Sequence, residues 1–94
     1  MRVRWLRRAL RNLDEEAEYI GRDNPDAAAR IVQRIAASVD RLGTHPSSGR
    51  PGRVPGTREL VVTGTPYIVP YRVRGETVEI LRVFHAARKW PEKF

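Results

Sequence analysis

Five side chains near the end of this chain have types and spacing that could do chemistry or grip a partner: Arg82, His85, Arg88, Lys89 and Trp90. They follow a hydrophobic run from Thr77 to Phe84. An imidazole titrates near neutrality and suits general acid–base work. Guanidinium groups present paired N–H donors to phosphate or carboxylate. Trp and Arg dominate protein–protein hot spots, so Arg88, Lys89 and Trp90 read as a gripping patch. Each residue also has a structural alternative. His85, with no paired acid or base in the sequence, reads first as a strand-end histidine bonded to backbone. Trp90 reads equally as a ring closing the core. Arg82, and Arg58 upstream, would hold a phosphate or an acidic partner, or pair with Glu59, Glu76 or Glu79 across a sheet.

The rest of the chain must position that cluster. Ninety-four residues make one domain, spanning 1–94, with a modest core. Forty per cent apolar and 31% charged residues suit a soluble globular fold rather than disorder. The absence of cysteine excludes disulfides and thiolate metal sites, and two histidines with scattered acids make no metal cluster. No apolar run reaches the length of a signal peptide or a membrane span, so the expected location is cytoplasmic, with no membrane partner. The net charge of +7 lies mainly in residues 46–94, with 9 basic and 4 acidic groups, against 9 and 7 in residues 1–45. Such a field attracts nucleic acid or an acidic protein, although 16 of the 18 basic residues being arginine also fits a bias of codon composition.

Val3 to Trp5 predicts a short strand. Leu6, Leu10, Leu13, Ala17 and Ile20 recur at spacings of four and three, the buried stripe of an amphipathic helix. Asn24 is a good N-cap and Pro25 a good first residue for a second helix to about Leu42, with Ala28, Ile31, Ile35, Val39 and Leu42 as its stripe. Gly43 is a natural stop. Residues 43–57 are a long loop of Pro, Gly and Ser. Strands are expected at 57–63, 67–74 and 77–84, the last central, with a tight hairpin at Arg74-Gly75-Glu76. Tyr67 and Tyr71 share a face with Val69 and Val73, which makes them core. Pro70 marks an edge or a bulge. The fold class is α+β in the order β-α-α-β-β-β: a helical hairpin packed on a small antiparallel sheet.

Four strings in order carry a family resemblance: the aliphatic second helix ending near Leu42, HPSSGRPGRVPGTRELVV, YIVPYRV and VEILRVFHAARKWP. With this element order, nearly the whole chain resembles the RelE/ParE superfamily of bacterial type II toxins. The resemblance implies one of two activities on one fold: mRNA cleavage in the ribosomal A site, or poisoning of DNA gyrase on broken DNA. It also implies a cognate antitoxin, ParD-like with a DNA-binding domain, through which alone the complex meets operator DNA. No cofactor is implied.

Metal-free RNA cleavage needs a base, an acid and cations around the phosphorane. The resemblance assigns those roles here to Arg58, Arg82, His85 and Arg88. Leu60 and Ile68 stand where nuclease members carry further cations. That departure favours the ParE-like branch, in which no catalytic residues are expected and Arg82, Arg88, Lys89 and Trp90 bind the target. The helical hairpin offers a groove for the antitoxin, with Tyr19, Val32 and Ala36 as leftover apolar surface and Arg58 as an added contact. An mRNA endonuclease, and a decayed toxin acting only as an antitoxin-binding co-repressor, remain as alternatives.

Overall fold

Asn24 and Pro25 divide the helical half of the chain. The Asn24 side chain accepts from the Ala27 N–H at 3.0 Å, and Pro25 takes the first helical position, where its missing N–H leaves no bond unmade. The computed structural model, which describes residues 1–94, runs β1 (Arg2–Trp5), α1 (Arg7–Gly21), α2 (Pro25–Asp40) and a 3-10 turn (Arg41–Gly43). Then come β2 (Arg50–Pro51), β3 (Arg58–Val61), β4 (Tyr67–Arg74), β5 (Thr77–Ile80) and β6 (Phe84–His85).

The strands form one sheet in the order β1-β5-β4-β3-β2, with β6 also paired to β4. The β3–β4–β5 meander is antiparallel. Gly75 takes φ +60° at the first position of the two-residue turn between β4 and β5, a conformation that suits a residue without Cβ. β1 lies parallel to β5, with Val3 beside Val78 and Trp5 beside Ile80, so the sheet is mixed rather than wholly antiparallel. The long crossover that a parallel pair requires is here nearly the whole chain. The expected central position of the last strand holds for β5, which is paired on both sides.

Two strand boundaries differ from the sequence pattern. The 43–57 loop contains β2, which pairs Arg50 with Glu59 on β3. The run from Thr77 to Phe84 is broken between β5 and β6. From Tyr71↔Ile80 to Ile68↔Phe84, two residues of β4 face three on the other strand, Leu81, Arg82 and Val83. That extra residue is a β-bulge. It falls beside Pro70, which has no N–H to give; the Pro70 carbonyl accepts from Leu81 N–H at 3.0 Å.

The helices cover one sheet face. The core joins Ala9, Ile35, Val39 and Leu42 to Val62, Tyr67, Val69, Tyr71, Val78, Ile80 and Val83. The stripe of α1 is rotated from the expected one: Ala9 is fully buried and Leu10 is 47% exposed. A methyl group at Ala9 lets the helix sit close, and the rotation brings Asn12 and Glu16 toward the sheet. Tyr71 is core, but its hydroxyl also donates to Pro46 O at 2.7 Å and accepts from Gly49 N–H at 2.8 Å. A Cβ on Gly49 would lie 2.6 Å from the tyrosine ring, so only glycine fits that approach.

The other face is covered by residues 50–57 and the C-terminal tail. Glu59, 2% exposed, accepts from Arg50 Nε and Nη2 and from the backbone N–H and Nε of Arg53, at 2.9–3.3 Å. The Arg53 guanidinium lies 3.5 Å from the Trp90 ring centroid. Trp90 and Phe94 in turn pack on Phe84, at 4.9 and 5.7 Å. Burial pushes the Glu59 carboxyl up, but the bonds from Arg53 and Arg50 and the Arg53 charge outweigh it and hold it below 4.5. This contribution is fully present above that value and is lost as pH falls through the lower, folded-state value. The unfolding midpoint should therefore drop as pH falls below 4.5. Glu59→Gln should be destabilised by about 2 kcal/mol at neutral pH and fall less steeply in acid. Equal acid slopes in thermal melts of the two proteins would exclude this role.

Candidate functional site

Helix α1 addresses the C-terminal cluster through Asn12 and Glu16, four residues apart and so on one helix face. Asn12 Oδ1 accepts from Arg82 Nε at 2.8 Å and from Val83 N–H at 3.2 Å, which satisfies a donor freed by the bulge. Glu16 Oε1 accepts from the Tyr67 hydroxyl at 3.0 Å, and Oε2 from Arg88 Nη1 at 2.7 Å. The Arg88 guanidinium also lies 5.5 Å from the ring of Tyr19, itself 61% exposed. His85 sits opposite Tyr67 on β4, with the rings edge-on at 5.6 Å. Its Nδ1 accepts from Ala87 N–H at 3.2 Å, so Nε2 carries the proton of the neutral ring. Its carbonyl accepts from Arg88 N–H and from Trp90 Nε1.

Arg82 and Arg88 are thus anchored one turn apart along α1, and His85 is linked to the same helix only through Tyr67. Lys89 is exposed. Trp90 is half-buried on the other side of the sheet, between Phe84 and Arg53. Arg58 stands apart. It pairs with none of Glu59, Glu76 and Glu79; its Nη1 donates to the carbonyls of Gly49 at 2.9 Å and Ser47 at 3.4 Å. Glu59 points to the opposite face, where Arg50 and Arg53 occupy it. Arg58 is opposite Tyr71 and His85 opposite Tyr67, which is about 13 Å along β4 at about 3.3 Å per residue. Leu60 packs against the core and Ile68 is buried, so both are apolar side chains in apolar surroundings. Val32 and Ala36 are half-buried, one turn apart on α2, while Tyr19 lies on α1.

Asn12 and Glu16 are the members that sequence periodicity missed. Both lie at the margin of a stripe drawn through Leu10, where a polar residue reads as solvated. The available signal was a mid-helix Asn, a weak helix former, one turn before a Glu.

Burial first, then the hydrogen bond to Glu16 and its charge, push the Tyr67 phenol up to about 12. The bond from Glu16 raises Arg88, while burial and the charge of Arg8 lower Arg82. Tyr67 therefore keeps its proton and Glu16 is held by two donors. The arrangement suits holding an anionic surface better than moving protons between two groups. Titrating the three tyrosines by ultraviolet absorbance should show one ionising last, near 12, and Tyr67→Phe should remove that component. Because the folded value is the raised one, stability should fall as pH climbs from 10.0 toward about 12. A late component that survives Tyr67→Phe would contradict the assignment.

Two helices on a mixed sheet with a cationic C-terminal segment locked to α1 define a small α+β fold that recurs among known proteins. A sequence model described as the ParE toxin of the type II toxin-antitoxin system parDE matches residues 3–90. The chain is 57% identical over 91 residues to Y4kP of Sinorhizobium fredii (strain NBRC 101917 / NGR234), a protein that carries the name of a toxin. That match covers 97% of this chain and 94% of the relative. It is 41% identical over 86 residues to toxin RelE2 of Caulobacter vibrioides, covering 92% and 96%. A solved chain from the chromosomal ParDE TA system of P. aeruginosa superposes with a TM-score of 0.83 at 33% identity, covering 90% of this chain and 95% of that one. The chain belongs to the ParE toxin family of type II toxin-antitoxin systems, within the RelE/ParE superfamily.

Proposed function

We propose that this toxin acts on DNA gyrase, binding it and stabilising the cleaved-DNA intermediate, with no catalytic residue of its own. One observation supports the reading: Leu60 and the buried Ile68 are apolar at the two positions where the resemblance to nuclease members implies cations, and Arg58 is engaged by loop carbonyls. An in-line attack on RNA needs its base, acid and cations around one phosphate. Arg82, Arg88, Lys89 and Trp90 are the proposed gyrase-binding residues. A cytoplasmic ParD-like antitoxin, with a DNA-binding domain that meets the operator, neutralises the toxin by covering Tyr19, Val32 and Ala36, with Arg58 as a further contact. Purified toxin with gyrase, ATP and supercoiled plasmid should yield linear DNA after denaturation, and Arg88→Ala should reduce that yield. Unimpaired supercoiling at saturating toxin would overturn the proposal.

A second reading has support of its own. A relative 41% identical is named RelE2, and Arg82 and Arg88 are anchored one turn apart on α1, with His85 against Tyr67. In that reading the toxin cuts translated mRNA on the ribosome. Primer extension should then show codon-phased cuts that vanish in an Arg82→Ala, His85→Ala double variant. Cuts absent from the wild type would exclude it. Normal growth on expression without antitoxin would instead favour a toxin reduced to an operon co-repressor.

A further inference from the structure

We infer that the edge of α1 beside the bulge carries a phosphodiester-binding site made by Arg8, Arg11, Asn12 and Arg82. These four residues and Glu15 line a cleft of about 390 Å³ where α1 meets the bulge. Arg8, Arg11 and Glu15 follow helical spacings of three and four, so they share a face of α1. Arg82 joins them from the bulge, held there by its bond to Asn12.

The cleft is rich in donors. None of its three guanidinium groups forms an ion pair, whereas Arg22, Arg50, Arg53, Arg72, Arg74 and Arg88 all do. The Asn12 amide is oriented by its two incoming donors: Oδ1 accepts from Arg82 and Val83, so its NH2 group points away from both. Glu15 is the one carboxylate of the lining and offsets the charge only in part. Burial and the neighbouring Arg8 charge disfavour the charged form of Arg82 and outweigh the opposing charge of Glu15, so like-charge repulsion remains in the cleft. An anion entering it would relieve that repulsion. One planar carboxylate is satisfied by one guanidinium fork; several forks and an amide converging from two elements match the larger acceptor set of a phosphate. The site does not depend on which target the toxin takes, since the DNA held by gyrase and mRNA present the same group.

The test uses the full chain with three probes at low salt: a labelled DNA duplex, a labelled single-stranded RNA of the same length, and polyglutamate as competitor. Fluorescence anisotropy reads affinity and its salt dependence. The Arg8→Ala, Arg11→Ala double variant removes two exposed side chains that bond to nothing else. It should melt as the wild type does, bind nucleic acid at least about tenfold more weakly, and lose about two units of salt slope. A control of equal charge, Arg30→Ala with Lys93→Ala, should lose much less, and Glu15→Gln should bind more tightly. Preference between DNA and RNA identifies the source of the phosphate. Equal losses in variant and control would reduce the site to a diffuse field and overturn it. So would polyglutamate competing as well as nucleic acid, which would mark an acidic protein surface, or no binding of either nucleic acid.

Discussion

The buried carboxylate of Glu59 is the interaction on which the second face of the sheet depends. A two-residue strand such as β2 has little stability of its own. It persists because Glu59 accepts from both Arg50 and Arg53, the first of which lies in that strand. Desolvating one carboxylate is costly, and only several charged hydrogen bonds offset the cost. Arg53 then carries the restraint outward, since it lies over Trp90, and Trp90 packs on Phe84. A single ionised group therefore organises the loop, and the loop helps hold the tail. Glu79 repeats the arrangement further along the same face, with Arg72 and Arg74 around it.

The helix face is anchored differently. There the bulge beside Pro70 frees backbone donors, and Asn12 takes one of them. The same amide fixes Arg82, while Glu16 fixes both Tyr67 and Arg88. One helix thus determines where the cationic segment lies. The chain between Arg82 and Trp90 divides its side chains between two anchors, α1 on one face and the Arg53 loop on the other. Its local sequence spacing therefore conceals two separate surroundings.

The helices, the β4–β5 hairpin and the tyrosine core were legible because period and turn chemistry are local properties. Asn24-Pro25 and Arg74-Gly75-Glu76 each specify their own geometry. The parallel placement of β1 was not legible, because nothing near Val3 encodes a partner 75 positions away. Nor was the break at Leu81–Val83, where the run looks apolar throughout and only Pro70 on the neighbouring strand hints at a bulge. The site was half legible. Arg82, His85 and Arg88 are conspicuous by type, but Asn12 and Glu16 become meaningful only once α1 is seen rotated about Ala9. Arg58 shows the converse: its charge suggested a partner, and its surroundings supply two loop carbonyls.

The pairing of β1 with β5 constrains how the molecule comes into being. Val3 cannot find Val78 until most of the chain is available, so the sheet closes only at the entropy cost of a loop of about seventy residues. The α1–α2 hairpin can collapse early, but β5 has an unpaired edge until both ends of the polypeptide meet. During synthesis from the N terminus, β1 must wait with its backbone unpaired while some seventy residues emerge. A nascent fragment would therefore lack the finished sheet, and competence would arrive all at once with the last strands rather than grow with chain length.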